Sequence, residues 1–449
     1  MLPKLSVGWL IAILAQSVFA AIASAQTQSS VTITRVTVID TLRGEAIPDS
    51  MVTIEGGSIA SVTRNGRPSP GAQVIDGQGK FLIPGLWDMH AHHQLTGEAS
   101  LPLFVATGVT GTRDMGADLE FILALRQRTA SGQMLGPVII AAGPILDNRP
   151  PDWPLRLNVR TADDARKAVQ MLKERGVDLI KVHTATPADV YFAIADEARR
   201  QNLPFAGHLP RGVTFEQAAA AGQRSIEHLD SGRAYTQCSG GQGYSVEQCR
   251  PFFSWLAKSG MWQTPTLVNW RKMFTLGTPD GNAVEDHFAY ASPQIREFLA
   301  LNRKMSNVTP EGVQAMVAMS ETAAIATNDM QREGVGILAG CDGMVAGFCL
   351  HDELALMVRG GMSTAAALQT ATINPARYMG LEERFGSVAV GKRADLVLLD
   401  ANPLDDISNV GRIHSVIIGG KVLSRQELDE TLAAVRKQFQ AGAPVAAPQ

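Results

Sequence analysis

The chain has 449 residues, of which 45% are hydrophobic and 18% are charged, a composition that can bury the core of a globular protein. Its formal net charge of -3 gives no electrostatic reason to expect nucleic acid or an anionic membrane as a partner. Length alone would suggest several domains, but an α/β barrel can occupy such a length as one unit.

The first 25 residues have the pattern of a secretory signal peptide. Lys4 supplies a positive start, residues 7–22 are mostly apolar, and Ala23-Ser24-Ala25 fits a small-residue cleavage site. An uncleaved membrane anchor is the alternative, but the apolar run is short and Gln16 interrupts it. We therefore expect an exported protein, secreted or periplasmic, without stable membrane association after cleavage.

Both ends of the remaining chain are predicted to build one small β domain. Residues 26–83 would form its first part, with a hairpin through Gly56-Gly57, and residues 381–430 its second part. Neither part alone has enough strands for independent stability, which favours a shared β-sandwich. Residues 431–449 are predicted to be a helix end and a disordered tail.

Residues 84–380 are predicted to form a TIM (β/α)8 barrel, so that the fold class is α/β. Over residues 178–230, three short apolar strands alternate with two helices, one opened by Thr186-Pro187 and one over residues 214–222. This alternation indicates a parallel sheet. Because the strands of such a barrel all point the same way, residues at their carboxyl ends converge on one face.

The remaining barrel elements are less regular in sequence. The first strand is expected over residues 81–89, the second over 108–114, the third over 137–141 and the last over 334–340. Thr161 is predicted to open a helix through a capping box.

Several predicted barrel strands end on a side chain that can bind a metal ion. His90 and His92 alternate along a strand and therefore point the same way. Lysine is the exception among these side chains, because an ammonium group repels a cation. Burial would lower the pKa of Lys181, and the neutral amine could then take up carbon dioxide to give a carbamate that bridges two ions. The full set of strand-end residues is His90, His92, Lys181, His208, His228 and Asp342.

The expected export favours disulfide bonds between the four cysteines. In an oxidising compartment Cys238 with Cys249 and Cys341 with Cys349 are natural local pairs, although four cysteines allow three connectivities. Free thiols remain an alternative, and metal ligation is disfavoured because no CxxC spacing occurs. A bridge at Cys341 would stiffen the loop that carries Asp342.

Six segments occur in a fixed order along the chain: IPGLWDMHAHH, IKVH, FAGHLP, SIEHL, LAGCDG and the closing GSVAVGKRADLVLLDANP. This ordered set resembles the amidohydrolase superfamily, specifically its imidazolonepropionase-like branch with prolidase-like members. The resemblance implies a TIM barrel flanked by a β-sandwich, with two divalent metal ions. Zinc suits the nitrogen and oxygen ligation, with manganese, cobalt or iron as alternatives. By motif position, the first ion would be bound by His90, His92 and Asp342, the second by His208 and His228, and carbamylated Lys181 would bridge them.

Two features depart from the family pattern. The last motif reads Gly-Cys-Asp where the family has Gly-Thr-Asp, which changes the surroundings of Asp342. His183 also follows the lysine motif, either as a residue that contacts a ligand or the substrate, or as a packed structural histidine.

The expected function is hydrolysis of an amide C–N bond in a dipeptide or N-acyl amino-acid-like substrate. The two ions would lower the pKa of a bridging water, and Asp342 would act as general base and then as acid toward the leaving amine. A lactone or ester hydrolase on the same centre is one alternative, and a non-catalytic barrel that acts as a binding module is another. A deaminase is disfavoured, because a bridging lysine favours two ions whereas zinc deaminases use one.

Substrate binding is assigned to residues near the strand ends. Arg211, Arg233 and Tyr235 follow the two histidine motifs, and Arg113 ends the second strand, so each arginine could bind a substrate carboxylate. The alternative is that they are ordinary rim residues. The expected partner is a small molecule, and the oligomeric state, including a homo-oligomer, is left open.

Overall fold

The computed structural model describes residues 30–64, 66–149, 155–239, 243–275, 287–306, 309–343 and 345–441. The predicted signal peptide and the last residues of the predicted tail lie outside these ranges. Among the described helices, none combines the length and apolar character needed to cross a bilayer.

The strands fall into three sheets. In chain order they are β1 (Val31–Asp40), β2 (Glu45–Glu55), β3 (Ser58–Arg64), β4 (Gln73–Asp76), β5 (Phe81–Pro84), β6 (Leu86–Ala91), β7 (Val109–Asp114), β8 (Val138–Ala141), β9 (Ile145–Asp147), β10 (Arg156–Asn158), β11 (Ile180–Val182), β12 (Phe205–Gly207), β13 (Ser225–Glu227), β14 (Trp262–Thr264), β15 (Leu396–Leu399), β16 (Ile413–Ile418) and β17 (Lys421–Ser424).

The helices lie mostly between the parallel strands and after the last of them. They are α1 (His93–Thr96), α2 (Leu101–Ala106), α3 (Leu119–Ala130), α4 (Ala162–Glu174), α5 (Ala188–Arg200), α6 (Phe215–Ala221), α7 (Arg233–Thr236), α8 (Val246–Ser259), α9 (Leu267–Thr275), α10 (Pro293–Ser306), α11 (Pro310–Arg332), α12 (Phe348–Arg359), α13 (Thr364–Thr370), α14 (Ile373–Met379) and α15 (Arg425–Gln440).

The two ends of the chain share one eight-stranded sheet. Its order is β17-β16-β15-β5-β1-β2-β3, with β4 also paired to β1. The strands from the two ends meet where β15 runs antiparallel to β5, with Leu396 opposite Pro84 and Leu399 opposite Phe81. The predicted hairpin through Gly56-Gly57 joins β2 to β3, and both glycines have the positive φ that a tight hairpin turn requires. The second layer that a sandwich needs stays a prediction.

Two parallel sheets carry the α/β part of the fold. One has the order β10-β9-β11-β12-β13-β14 and the other the order β6-β7-β8. The backbone N–H of Asp178, just before β11, donates to Ala141 O of β8 at 2.8 Å. On the other side, Leu338 N donates to Gln263 O and Met89 N to Ala339 O, both at 2.9 Å. Parallel strands joined in this way have TIM-like character, while full closure of the barrel stays a prediction.

The first predicted barrel strand is in fact two strands in different sheets. Residues of β5 pair within the eight-stranded sheet, whereas β6 pairs with β7. Gly85 lies between them, and a Cβ atom there would come within 1.9 Å of Thr110 Oγ1. Glycine therefore lets the chain cross tightly from one sheet to the other, a feature that the apolar run in the sequence did not indicate.

Other local predictions had mixed outcomes. The capping box predicted at Thr161 is present. Thr214 and Gly222 bound α6 as expected, and Thr214 also forms a capping box that was not predicted. Thr186 was wrongly predicted as a cap: Pro187 occupies the N-cap of α5, and Thr186 Oγ1 instead donates to Leu146 O. The last predicted strand is reduced to one bridge, between Ile337 and Gln263. The sequence analysis also missed the short strands β9, β10 and β14.

Both predicted disulfides are present. Cys238 pairs with Cys249, and Cys341 pairs with Cys349 at the start of α12. The second bridge ties α12 to the residue immediately before Asp342. The backbone N–H of Cys341 also donates to Asp88 Oδ1 at 3.1 Å, so this loop is held by a covalent bond and by a buried hydrogen bond.

Replacing Cys341 and Cys349 together by serine is expected to lower the free energy of unfolding by about 2–3 kcal/mol, because the unfolded chain regains loop entropy. Urea unfolding in oxidising buffer measures this loss. The double variant Cys238→Ser/Cys249→Ser removes a bridge of similar span and serves as the matched control. Only the first variant should also lose bound metal, and equal metal content in the two variants would contradict a role of the Cys341 bridge in holding Asp342.

Candidate metal centre

A cavity of about 400 Å³ opens at the carboxyl ends of the parallel strands. Lys181 belongs to β11, while His208 and His228 directly follow β12 and β13. Strands that run in parallel bring these positions to one edge, as the sequence predicts. The cavity is lined by all six expected ligands and by His183: His90, His92, Lys181, His183, His208, His228 and Asp342.

The Asp342 carboxylate lies among the imidazole rings. Its Oδ1 is 3.2 Å from His92 Nε2 and 3.4 Å from His90 Nε2, and its Oδ2 is 3.8 Å from His228 Nδ1. The ring centres of His208 and His228 are 4.8 Å apart. Candidate ligand atoms of His90, His228 and Asp342 all lie within 4.8 Å of one another. This spacing suits divalent metal ions held by nitrogen and oxygen atoms.

The backbone is strained around these ligands. Left-handed φ angles of +47° to +58° occur at residues that are not glycine, where a Cβ atom makes this conformation unfavourable. Such strain persists where the surrounding structure enforces it, and it is concentrated at functional sites. The residues concerned are His228, Leu229, Asp230, Ser231, Thr266 and Asp342.

Burial favours neutral imidazoles, which are the form that binds a metal ion. Loss of hydration lowers the pKa of His90, His208 and His228. His92 differs: burial by itself lowers its pKa, but the hydrogen bond with Asp342 and the negative charges of Asp342 and Asp114 together outweigh burial and raise the pKa. His90 Nε2 and His208 Nδ1 are buried without a hydrogen-bond partner. Buried polar atoms are rarely left unpaired, and a cation would satisfy both nitrogens, so the side chains present fit a metal centre.

Lys181 is the buried cation of the group. Its side chain is 1% exposed, and burial lowers its pKa to about 8, although Glu227 and Asp342 oppose the shift. An amine with such a pKa is partly neutral near pH 8 and can then react as a nucleophile. This environment suits the predicted carbamate, whose formation requires the neutral amine.

Glu227, which the sequence analysis did not single out, orients the first histidine. Its Oε2 is 2.7 Å from His90 Nδ1, and both of its oxygens accept hydrogen bonds from Arg113 Nη2 at 3.0 Å. A proton on His90 Nδ1 leaves the Nε2 lone pair directed toward Asp342. The only sequence signal for Glu227 is its position next to His228.

Two further side chains hold ligands from the start of α9. Thr266 Oγ1 is 2.6 Å from His228 Nδ1, and the Asn269 amide donates a hydrogen bond to Asp342 Oδ2. Asn269 also lines the cavity. Neither residue was predicted, because their segment carries no repeating pattern and reaches the site only through the fold.

The expected substrate-binding residues have different locations. Arg113 was wrongly predicted: it is fully buried and donates hydrogen bonds to Glu227, Ser225, Tyr378, Thr264 and Met89 O, so it supports the site from within. Arg211 is exposed, Arg233 pairs with Asp230 at 2.9 Å, and Tyr235 is buried. These three are not among the residues that line the cavity.

His183 does lie in the cavity. Its ring centre is 4.3 Å from that of His208, and its Nδ1 is 3.0 Å from Thr184 Oγ1 and 3.6 Å from Asp147 Oδ2. Burial lowers its pKa to about 2, which keeps the ring neutral. The arrangement favours a residue that contacts a ligand or the substrate over a packed structural histidine.

Comparisons with known proteins agree with this architecture. Adenine deaminase 3 from Rhizobium meliloti (strain 1021) is 25% identical over 388 residues, which is 84% of this chain but only 56% of that protein's length. Imidazolonepropionase from Rubrobacter xylanophilus is 24% identical over 385 residues, covering 80% of this chain and 86% of that protein. A solved prolidase complexed with N-methylphosphonate-L-proline has a similar fold, with a TM-score of 0.66 and 24% identity, covering 89% of this chain and 100% of its own.

The model of the amidohydrolase family matches residues 81–423, which include every strand-end residue described above. The match covers most of the chain, and the chain therefore belongs to the amidohydrolase family.

Proposed function

We propose that this protein is an exported, metal-dependent hydrolase that cleaves an amide C–N bond in a dipeptide or N-acyl amino-acid-like substrate. The observation that carries the proposal is the position of the Asp342 carboxylate, 3.2–3.8 Å from nitrogens of three histidines in the cavity that also contains buried Lys181. Membership of the amidohydrolase family supports hydrolysis at a C–N bond. A fold shared with a prolidase is compatible with a peptide-like substrate.

The proposal includes the finer architecture expected from sequence. The parallel strands would close into a (β/α)8 barrel, supported by the hydrogen bonds of Met89 and Leu338. The shared terminal sheet would belong to a β-sandwich. The first 25 residues would direct export.

The cavity residues would hold two divalent ions, with zinc as the first choice. Ions bound there would supply Lewis acidity toward the substrate carbonyl and toward water. In the proposed assignment, His90, His92 and Asp342 would hold one ion, His208 and His228 would hold the other, and carbamylated Lys181 would be a ligand of both.

Asp342 would move the proton in the reaction. Burial by itself would raise the pKa of Asp342, but His228, His90 and His92 together hold it below its usual range, so the carboxylate stays ionised and able to accept a proton. It would take that proton from the attacking water and donate it to the leaving nitrogen, since an amine anion is too basic to depart unaided. Asn269 would fix the carboxylate through Oδ2 while Oδ1 faces His90 and His92.

Other activities use the same residues. A lactone or ester hydrolase is the first alternative, because the same attack on those carbonyls is easier. Deamination is favoured by the similarity to adenine deaminase 3, although a bridging lysine argues for two ions. A panel of dipeptides, N-acyl amino acids, lactones and adenine separates these activities, and activity on none of them with no bound metal would indicate a binding module.

Replacing Asp342 by asparagine is expected to lower kcat by about 10²–10⁴-fold, because the amide cannot take the proton from water. The rate is measured on the best substrate of the panel after metal loading. The exposed Asp405→Asn variant is the control and should keep full activity. An Asp342→Asn rate close to that of the unaltered protein would exclude Asp342 as the general base.

Replacing Lys181 by alanine is expected to reduce bound metal from about two equivalents, because the bridging ligand is lost. Elemental analysis after gel filtration measures metal content. Propionate should restore part of the metal and of the activity, since its carboxylate can occupy the space of the carbamate. The exposed Lys258→Ala variant is the control. Two full equivalents in Lys181→Ala would refute the bridging role.

A further inference from the structure

Part of the cavity wall is made of apolar side chains that the proposed chemistry does not use. They come from β9 and from helices that follow different parts of the sheet, so no single motif encodes this wall. The residues are Leu95 of α1, Ile145 of β9, Trp270 of α9, Ile295 and Phe298 of α10, and Met316 of α11, and together they form what we call the apolar wall.

Helix α10 directs one face toward the cavity. Ile295 and Phe298 both line the cavity, while Leu301, one turn further along the helix, is 52% exposed and does not line it. Before α10 begins, Ser292 Oγ donates to Leu95 O at 3.0 Å and so ties this helix to α1. The apolar face is therefore held in place against the cavity.

Three cationic side chains beside the apolar wall, among the side chains that the structure describes, are engaged elsewhere. Arg271 lies 3.7 Å from Glu321, and Lys272 pairs with Asp352 on α12. Arg296 follows Ile295, but its guanidinium donates to the carbonyl oxygens of Ala291 and Phe288 at 2.9 Å. Their charges are thus directed to partners other than a ligand in the cavity.

Two of the three arginines expected to bind a carboxylate are engaged in the same way, and the third, Arg211, is exposed and does not line the cavity. Arg113 is buried against Glu227, and Arg233 pairs with Asp230 outside the cavity. A carboxylate placed against the apolar wall would lose hydration without gaining these partners, at a large cost in free energy. An uncharged apolar group would instead gain from leaving water.

We infer that the substrate presents an uncharged apolar group, such as an aryl or branched alkyl side chain, to the apolar wall, and does not present a free carboxylate there. The inference rests on the proposed function, because it concerns the part of the substrate that does not react. A cavity of about 400 Å³ lies near the lower end of common ligand sites, so the group is small, about the size of one large side chain.

Hydroxamates test this specificity, because they can bind to the metal-loaded protein but are not peptide amides that it would cleave. Three probes differ only in the group that would meet the apolar wall: acetohydroxamate, 3-phenylpropanohydroxamate and succinic monohydroxamate. Calorimetry should give a dissociation constant at least about tenfold lower for the phenyl compound than for acetohydroxamate, in line with the value of added apolar groups in such pockets. The carboxylate of succinic monohydroxamate should give no gain.

Two variants on one helix provide the matched comparison. Phe298→Ala should remove most of the advantage of the phenyl compound, while Leu301→Ala, on the exposed side of α10, should retain it. Met316→Arg should shift the preference toward succinic monohydroxamate, because it adds a cation to the apolar wall. Circular dichroism checks that each variant is folded.

The outcomes separate this inference from the function on which it rests. Binding of acetohydroxamate with no gain from the phenyl group, or tightest binding of succinic monohydroxamate, would overturn the apolar specificity and leave the metal centre intact. If none of the three probes bound to protein prepared with metal, the proposed function itself would fail and the inference with it.

Discussion

The placement of the Asp342 carboxylate is the constraint on which the rest of the site depends. Its backbone has a left-handed φ of +58°, which a residue other than glycine adopts only when its surroundings enforce it. The enforcement comes from several directions: the Cys341–Cys349 bridge, the bond from Cys341 N to Asp88, and the Asn269 amide on Oδ2. Together they bring Oδ1 within 3.4 Å of both His90 and His92.

The histidines are oriented from behind by two side chains and one backbone carbonyl, from residues that do not line the cavity. Glu227 bonds His90 Nδ1, Thr266 bonds His228 Nδ1, and the carbonyl of Gly116 lies 3.0 Å from His92 Nδ1. Each contact occupies one ring nitrogen and leaves the other for the cavity. Arg113 forms an ion pair with Glu227 in the interior. Removing either partner would leave the other charge buried and unpaired, at a cost of about 3–5 kcal/mol.

The proposed metal ligands and the apolar wall lie in different parts of the architecture. The proposed ligands lie at or just after strand ends, whose backbone is fixed by pairing within the sheets. The apolar wall is supplied mainly by α1, α9, α10 and α11, which pack around the cavity. Substitutions in these helices could therefore alter substrate preference while the strand-end residues keep their positions.

The amino-acid sequence by itself determined the identity of the strand-end residues, favoured the two disulfide pairings that are present, and predicted the capping box at Thr161. These features follow from short-range patterns, namely residues that end apolar runs, cysteines close in sequence, and cap residues three positions apart. Parallel pairing of the strands is then enough to bring strand ends that are far apart in sequence to one edge of the sheet.

Tertiary structure alone decided that Arg113 supports the site from the interior, that Asn269 holds Asp342, and that residues 81–89 divide between two sheets. Arg113 meets Glu227 across 114 residues of sequence, and Asn269 meets Asp342 across 73. Local periodicity carries no information about which side chains meet over such separations. Whether an arginine at a strand end faces solvent or a buried carboxylate depends on what the rest of the chain places beside it.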